Sequence, residues 1–209
     1  MIPIIDHSVL TFESLLSGFH KRSISLNTIL SNPQDPENQV FYIVSGTLRV
    51  YLSYEDKVFT LALLSAGDVY CTHTRAYVEA IEESEVYFSD LRTFSQRLQE
   101  HPKLVGAVTR VLSSTLSGCI DTIENLAFRD VRSRFACFLL SQLQDEKNMS
   151  SLSIKLPFST ELLAQSIGTS RQTLSSIISD LQKNGILERK GKGFLLILDK
   201  EKLIKIANL

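Results

Sequence analysis

The stretch Ser159-Thr-Glu-Leu-Leu-Ala-Gln-Ser-Ile-Gly168-Thr-Ser-Arg-Gln-Thr-Leu-Ser-Ser-Ile-Ile-Ser-Asp-Leu-Gln-Lys183 reads as two helices about a tight turn. Ser159 or Thr160 can accept hydrogen bonds from the unsatisfied N–H groups that open the first helix, and Thr169 or Ser170 can do the same for the second. Leu162, Leu163 and Ile167 face inward, and Gly168 permits the left-handed backbone of the turn. Leu174, Ile177, Ile178 and Leu181 give the second helix one apolar stripe. Arg171, Gln172, Ser175 and Ser176 are left on the other face, at its N-terminal end. Arginine pairs two hydrogen bonds with guanine and glutamine does so with adenine, so a helix-turn-helix meeting base edges is the expectation, with Thr169 and Ser170 at its entrance. A plain helical hairpin accounts for the apolar positions. It does not account for a turn glycine, a cap, an exposed Arg-Gln pair and a basic hairpin together. That hairpin is Asn184 to Ile197, which reads as a wing carrying Arg189, Lys190 and Lys192 toward phosphates.

Charge supports this placement. The net charge of −1 divides unevenly: residues 1–135 hold 12 Lys+Arg against 16 Asp+Glu, and residues 136–209 hold 10 against 7. A basic C-terminal piece on an acidic larger one fits contact with phosphates by the former alone. The length of 209 residues and 44% hydrophobic content suit two modest domains with real cores. No run of about 18 apolar residues occurs and the N-terminus lacks the pattern of a signal peptide, so a cytoplasmic protein without membrane contact is expected. Cys71, Cys119 and Cys137 are odd in number and widely spaced, which fits reduced thiols. No Cys-x-x-Cys is present.

Upstream of the helix-turn-helix, Lys103 to Phe128 carries Val105, Thr109, Leu112, Leu116, Cys119, Ile123 and Leu126 at alternating separations of four and three. That heptad pattern predicts a two-stranded coiled coil and hence a homodimer. Val108, Val111 and Ile120 offer a second face toward the chain's own N-terminal domain. Phe128-Arg129-Asp130 reads as a hinge before another helix with Val131, Phe135, Phe138 and Leu139. Asp90 opens a shorter helix that His101-Pro102 breaks. The first ninety residues hold a short amphipathic helix around Leu10 to Phe19, and then strand-like runs at Val40–Val44, Thr47–Tyr54, Lys57–Leu64, Tyr77–Ile81 and Glu85–Ser89. Ser45-Gly46, Glu55-Asp56 and Gly67 punctuate these runs as hairpin turns would. The fold expected is α+β: an N-terminal β-roll over residues 1–100, a dimerisation helix over 101–128 and a winged helix-turn-helix over 129–209.

Within the roll, Gly67-Asp-Val-Tyr-Cys71-Thr-His73-Thr-Arg-Ala-Tyr-Val-Glu-Ala80 pairs a thiolate donor with an imidazole two residues on. In extended backbone both point to one face, so a metal centre can be reached by either in turn after a small slide. A cysteine that only packs is the competing reading.

β-roll, long helix, hinge and winged helix-turn-helix together resemble the CRP/FNR superfamily of bacterial transcription regulators over nearly the whole chain. Ser170-Arg171-Gln172-Thr173 is similar to its recognition-helix motif, and Tyr42-Ile-Val-Ser-Gly46-Thr-Leu-Arg-Val-Tyr51 is similar to its glycine-centred β-roll hairpin. Gly67-Asp68, Cys71, His73, Val78-Glu79-Ala80, Asp90, Arg92-Thr93-Phe94 and Leu98-Gln99, with Arg49-Val50-Tyr51-Leu52, resemble the branch of carbon-monoxide-sensing haem activators. That resemblance implies one haem b (iron protoporphyrin IX) per subunit, with Cys71 ligating ferric iron, His73 replacing it on reduction, and CO as effector. An anionic thiolate favours the more positive ferric ion and a neutral imidazole suits ferrous iron. In that branch the opposite ligand is an N-terminal amine from the partner subunit. Ile2 discourages removal of the initiator here, so the amine would be that of Met1, or of Pro3 after loss of both residues. The gas would lie against Thr109, Leu112 and Leu116 of the long helix. The implied partners are palindromic double-stranded DNA and RNA polymerase, and the implied role is transcriptional activation without enzymatic activity.

Three other readings stay in view. Arg75-Ala76 resembles part of a cyclic-nucleotide cassette, so a CRP-like regulator with a cyclic nucleotide or other small effector is the alternative. An iron–sulfur oxygen sensor would need an N-terminal cysteine cluster, and a cupin-like enzyme would need several histidines facing each other.

Overall fold

The computed structural model describes residues 16–36, 38–55, 57–72, 74–100, 102–145, 152–156, 159–191 and 193–208. Met1, His73, Lys192 and most of the first amphipathic helix lie outside the described residues. The chain divides into two compact units, Met1–Cys119 and Ile120–Leu209.

The first unit is built on β1 (His20–Ile24), β2 (Ile29–Ser31), β3 (Gln39–Ser45), β4 (Leu48–Tyr54), β5 (Lys57–Leu64), β6 (Val69–Cys71), β7 (Tyr77–Ala80) and β8 (Ser84–Asp90). They form two antiparallel sheets of order β1-β8-β3-β6 and β2-β7-β4-β5. Alternation along the strands sends Phe41, Ile43, Val86 and Phe88 of one sheet toward Leu48, Val50, Val78 and Ala80 of the other. Phe41 and Phe88 meet edge to face at 4.7 Å between ring centroids. Each of the larger of these side chains contributes about 1.5–3 kcal/mol on full burial.

The runs from Val40 to Ser89 are strands at nearly the expected bounds, but their turns differ in kind. Only Glu55-Asp56 joins paired strands: Tyr54 faces Lys57, and Glu55 has the positive φ of 53° that a two-residue hairpin requires. Ser45-Gly46 instead carries the chain from one sheet to the other, because β3 and β4 belong to different sheets. A Cβ on Gly46 would lie 2.2 Å from Ser84 Oγ and 2.5 Å from the Glu83 carbonyl, so the crossing needs glycine for space as well as for its φ of +84°. Gly67 likewise sits on a crossing, between β5 and β6.

Asp90 caps α1 (Leu91–Glu100), accepting from Thr93 N and Thr93 Oγ1, each at 2.8 Å. Helix α2 (Pro102–Phe128) follows, 27 residues and hence about 40 Å long. Arg129 and Asp130 interrupt it, and Asp130 caps α3 (Val131–Asp145) through a 2.7 Å bond from Ser133 N.

The second unit adds β9 (Ser153–Lys155), α4 (Thr160–Ser166), α5 (Arg171–Lys183), β10 (Leu187–Arg189), β11 (Phe194–Ile197) and α6 (Lys200–Ala207). Its sheet has the order β10-β11-β9, so the wing is backed by a third strand that the sequence pattern does not announce. Phe135, Leu139, Leu163, Leu174, Leu181 and Leu195 lie at the centre of its core. Among the described residues no helix is long and apolar enough to cross a membrane.

Candidate functional site

The helix-turn-helix is assembled from local chemistry. Ser159 caps α4 by accepting from Leu162 N at 3.2 Å, and Ser170 caps α5 by accepting from Thr173 N at 3.1 Å. Between them Gly168 takes φ 70°, and Thr169 N donates to Ala164 O at 2.9 Å to close the turn. Leu174, Ile178 and Leu181 bury one stripe of α5. That orientation leaves Ser170, Arg171, Gln172, Ser175 and Ser176 exposed together at the N-terminal end of the helix, with Thr169 half-buried behind them. The unpaired amides and aligned peptide dipoles there add positive potential to the charge of Arg171. Thr173 and Ser179 are also exposed on the same helix, the latter outside the positions that the sequence pattern marks. Thr173 is engaged with the cap, its Oγ1 lying 2.9 Å from Ser170 Oγ. Arg189 and Lys190 are exposed at the tip of the wing, where Lys190 N donates to Phe194 O at 3.0 Å.

The second candidate centre is Cys71, half-buried at the end of β6. By register it shares a face with Val40 and Ser89, both buried, while Tyr70 shares the opposite face with Phe41 and Phe88 of the inter-sheet core. The ladder continues past it: Thr72 N donates to Gln39 O at 3.0 Å, and Gln39 N donates to Thr72 Oγ1 at 2.8 Å. Any slide that exchanges Cys71 for His73 therefore has to break or circumvent this pair of bonds. Upstream, Asp68 accepts from Ser65 N at 2.8 Å, and burial raises its pKa above the ordinary carboxylate value, partly offset by that bond. Burial also raises the pKa of Tyr70, whose hydroxyl meets Thr74 Oγ1.

An open cleft of about 370 Å³ lies on the roll beside β1 and β2, lined by Arg22, Ser31, Gln39, Thr72 and Phe88 among others. Thr72 reaches it and Cys71, one residue back, is turned the other way, as alternation along a strand requires. Thr109, Leu112 and Leu116 share one stripe of α2 and are all exposed, with the Thr109 hydroxyl donating to Val105 O of its own helix at 2.8 Å.

Among the described residues no three His, Cys, Asp or Glu gather where they could hold an ion. A bare metal ion needs three or four protein ligands, whereas a haem brings its own nitrogens and needs one or two protein donors. The thiol of Cys71, half-buried on a strand whose backbone is held along one edge by β3, suits the second requirement.

Comparison with known proteins agrees with this geometry. Residues 133–206 match the Crp-like helix-turn-helix domain. A global nitrogen regulator of Synechocystis sp. (strain PCC 6803) is 28% identical over 167 residues, 74% of this chain and 74% of its own. A CooA mutant from Carboxydothermus hydrogenoformans is 36% identical over 99% of this chain and 98% of its own, with a TM-score of 0.89. The reduced, Fe(II), CO-sensing protein from R. rubrum is 33% identical over 98% of this chain and all of its own, with a TM-score of 0.57. Proteins of this kind are transcription regulators that bind DNA as dimers, not enzymes. With the roll, the long helix and the winged helix-turn-helix all in place, the chain belongs to the CRP/FNR family of transcription regulators, close to CooA.

Proposed function

We propose that this regulator is a haem-dependent carbon monoxide sensor that activates transcription in the cytoplasm by binding palindromic DNA as a homodimer and engaging RNA polymerase. The observation that carries the reading is Cys71 on β6, in a chain that is 36% identical to CooA over 99% of its length. When bound, haem b would supply an iron that takes CO only in its ferrous state. The chain's own residues would do the rest. Cys71 thiolate would favour the ferric state, His73 the ferrous state, and the Met1 amine would be a further, displaceable donor. An α-amine has a reference pKa of about 7.7–8.0, so at neutral pH it must lose a proton to ligate, which makes it the weaker donor. Thr109, Leu112 and Leu116 would line the gas pocket. Arg171, Gln172, Ser175 and Ser176 would read bases, while Arg189, Lys190 and Lys192 neutralise phosphates, with Thr169 and Ser170 at the backbone.

Purified protein made with ample haem should show a Soret band that shifts on reduction and again with CO. Replacing Cys71 by Ser should alter the ferric spectrum and leave the ferrous carbonyl spectrum largely intact. Absence of a Soret band would overturn the reading. The open cleft beside Arg22, Gln39 and Thr72 favours the second reading in that event, a cyclic nucleotide or other small effector held in that cleft.

A further inference from the structure

Arg134 lies half-buried on α3, between the end of the long helix and the helix-turn-helix. Its guanidinium spans two backbone carbonyls: one N–H group donates to Arg129 O at 3.1 Å and another to Gly168 O at 3.2 Å. Arg129 O belongs to the break that follows α2, and Gly168 O belongs to the turn that sets the angle of α5. The third nitrogen, Nε, is buried and has no hydrogen-bond partner among the described residues. Leaving a buried donor unpaired is costly, and an apolar side chain of the same size would avoid that cost. Stability alone therefore does not explain an arginine here.

The neighbouring side chains strengthen the same connection. Arg129 donates to Cys137 Sγ at 3.1 Å and to the Ala207 carbonyl, which also accepts from Ser133 Oγ at 3.0 Å. Arg132 bonds Asp180 of α5 at 2.6 Å. These contacts fix α3 against α5 and α6. Arg134 alone among them grips both the interruption after α2 and the turn before α5.

We propose that Arg134 is a positioning residue that ties the hinge backbone to the helix-turn-helix turn, so that displacement at the end of α2 is passed to the recognition helix. A guanidinium can do this because its donors are fixed in a plane and diverge, whereas an ammonium is a point donor on a flexible stem. Arg134→Met keeps the bulk and removes both bonds. Arg134→Lys keeps the charge and can satisfy one carbonyl at a time.

Hydrogen exchange on the full-length protein, without DNA, tests the tie directly. In Arg134→Met, amides of residues 128–131 and 165–170 should exchange faster together, by about ten-fold or more given the strength of bonds to a charged donor. Amides in the middle of α5 and in β11 should stay protected. Arg134→Lys should loosen one segment more than the other. Binding to a duplex selected from a random library by the wild-type protein should weaken in both variants, while low-salt binding to unrelated duplex stays the same, since Arg134 would touch no phosphate. Unchanged exchange in both segments would overturn the proposal. So would a uniform rise across α5, β11 and α6 with a matching fall in Tm in both variants, which would make Arg134 an ordinary core residue. The exchange measurement needs no haem, so its failure is separate from failure of the gas-sensing reading.

Discussion

Helices α5 and α2 carry apolar residues at the same helical spacing, and the fold treats them in opposite ways. In α5, Leu174, Ile178 and Leu181 are 0%, 2% and 0% exposed, because the core of the same unit closes over them. In α2, Leu112, Leu116 and Ile123 are 64%, 62% and 65% exposed. Val105, Ile120, Leu126 and Phe128 are exposed too. An exposed apolar stripe about 35 Å long is far beyond what a stable monomer leaves in water. Periodicity thus shows that a face will be buried, and only the packing shows whether the cover is internal. For α2 the heptad spacing and the dimeric habit of the family name a second copy of the chain.

The largest expected effect comes from breaking the α2 seam. Leu116→Asp with Ile123→Asp should convert the dimer to monomer in sedimentation. Affinity for a palindromic duplex should fall by about 10²–10⁴-fold, the gain that two linked half-site contacts provide. A dimer that survives both changes would mean that α2 buries its stripe elsewhere. Ile178→Ala asks the matching question of α5. It should destabilise the protein by about 2–5 kcal/mol in denaturant unfolding, independent of protein concentration, since its cover is intramolecular. Loss of an α2 side chain should instead depend on concentration.

On the exposed face of α5, Arg171→Ala should weaken selected-site binding by about 1–3 kcal/mol and relax one base position. A uniform loss on all sequences would make Arg171 a phosphate contact. The smallest effect concerns the α1 cap. Bonds from Thr93 N and Oγ1 hold the Asp90 pKa below its ordinary value of 3.8. Its contribution is therefore present above the unfolded pKa and fades as pH falls through the lower folded value. Asp90→Asn should remove the part of the acid-end slope that this carboxylate contributes, any loss of stability appearing above its titration range and vanishing below it. An acid-end slope identical to that of the wild-type protein would contradict the cap assignment.

What the sequence determined by itself was whatever a few neighbouring residues decide. Ser170 three residues before Thr173, Gly168 at the turn and apolar positions three and four apart specify the helix-turn-helix, because capping, left-handed backbone and helical periodicity act over one or two turns. Strands with clear alternation, such as Tyr77–Ala80, were equally legible. The sequence leaves Ser159 and Thr160, and likewise Thr169 and Ser170, equivalent as caps, since either hydroxyl of each pair has the chemistry; the backbone geometry selects Ser159 and Ser170. Tertiary structure alone decided that Gly46 crosses between sheets and does not close a hairpin, and that Cys71 faces Val40 while Thr72 faces the open cleft. It also decided that Arg134 reaches from residue 129 to residue 168. Those facts depend on partners tens of residues away, set by strand pairing and the closing of two cores, and no local pattern encodes them.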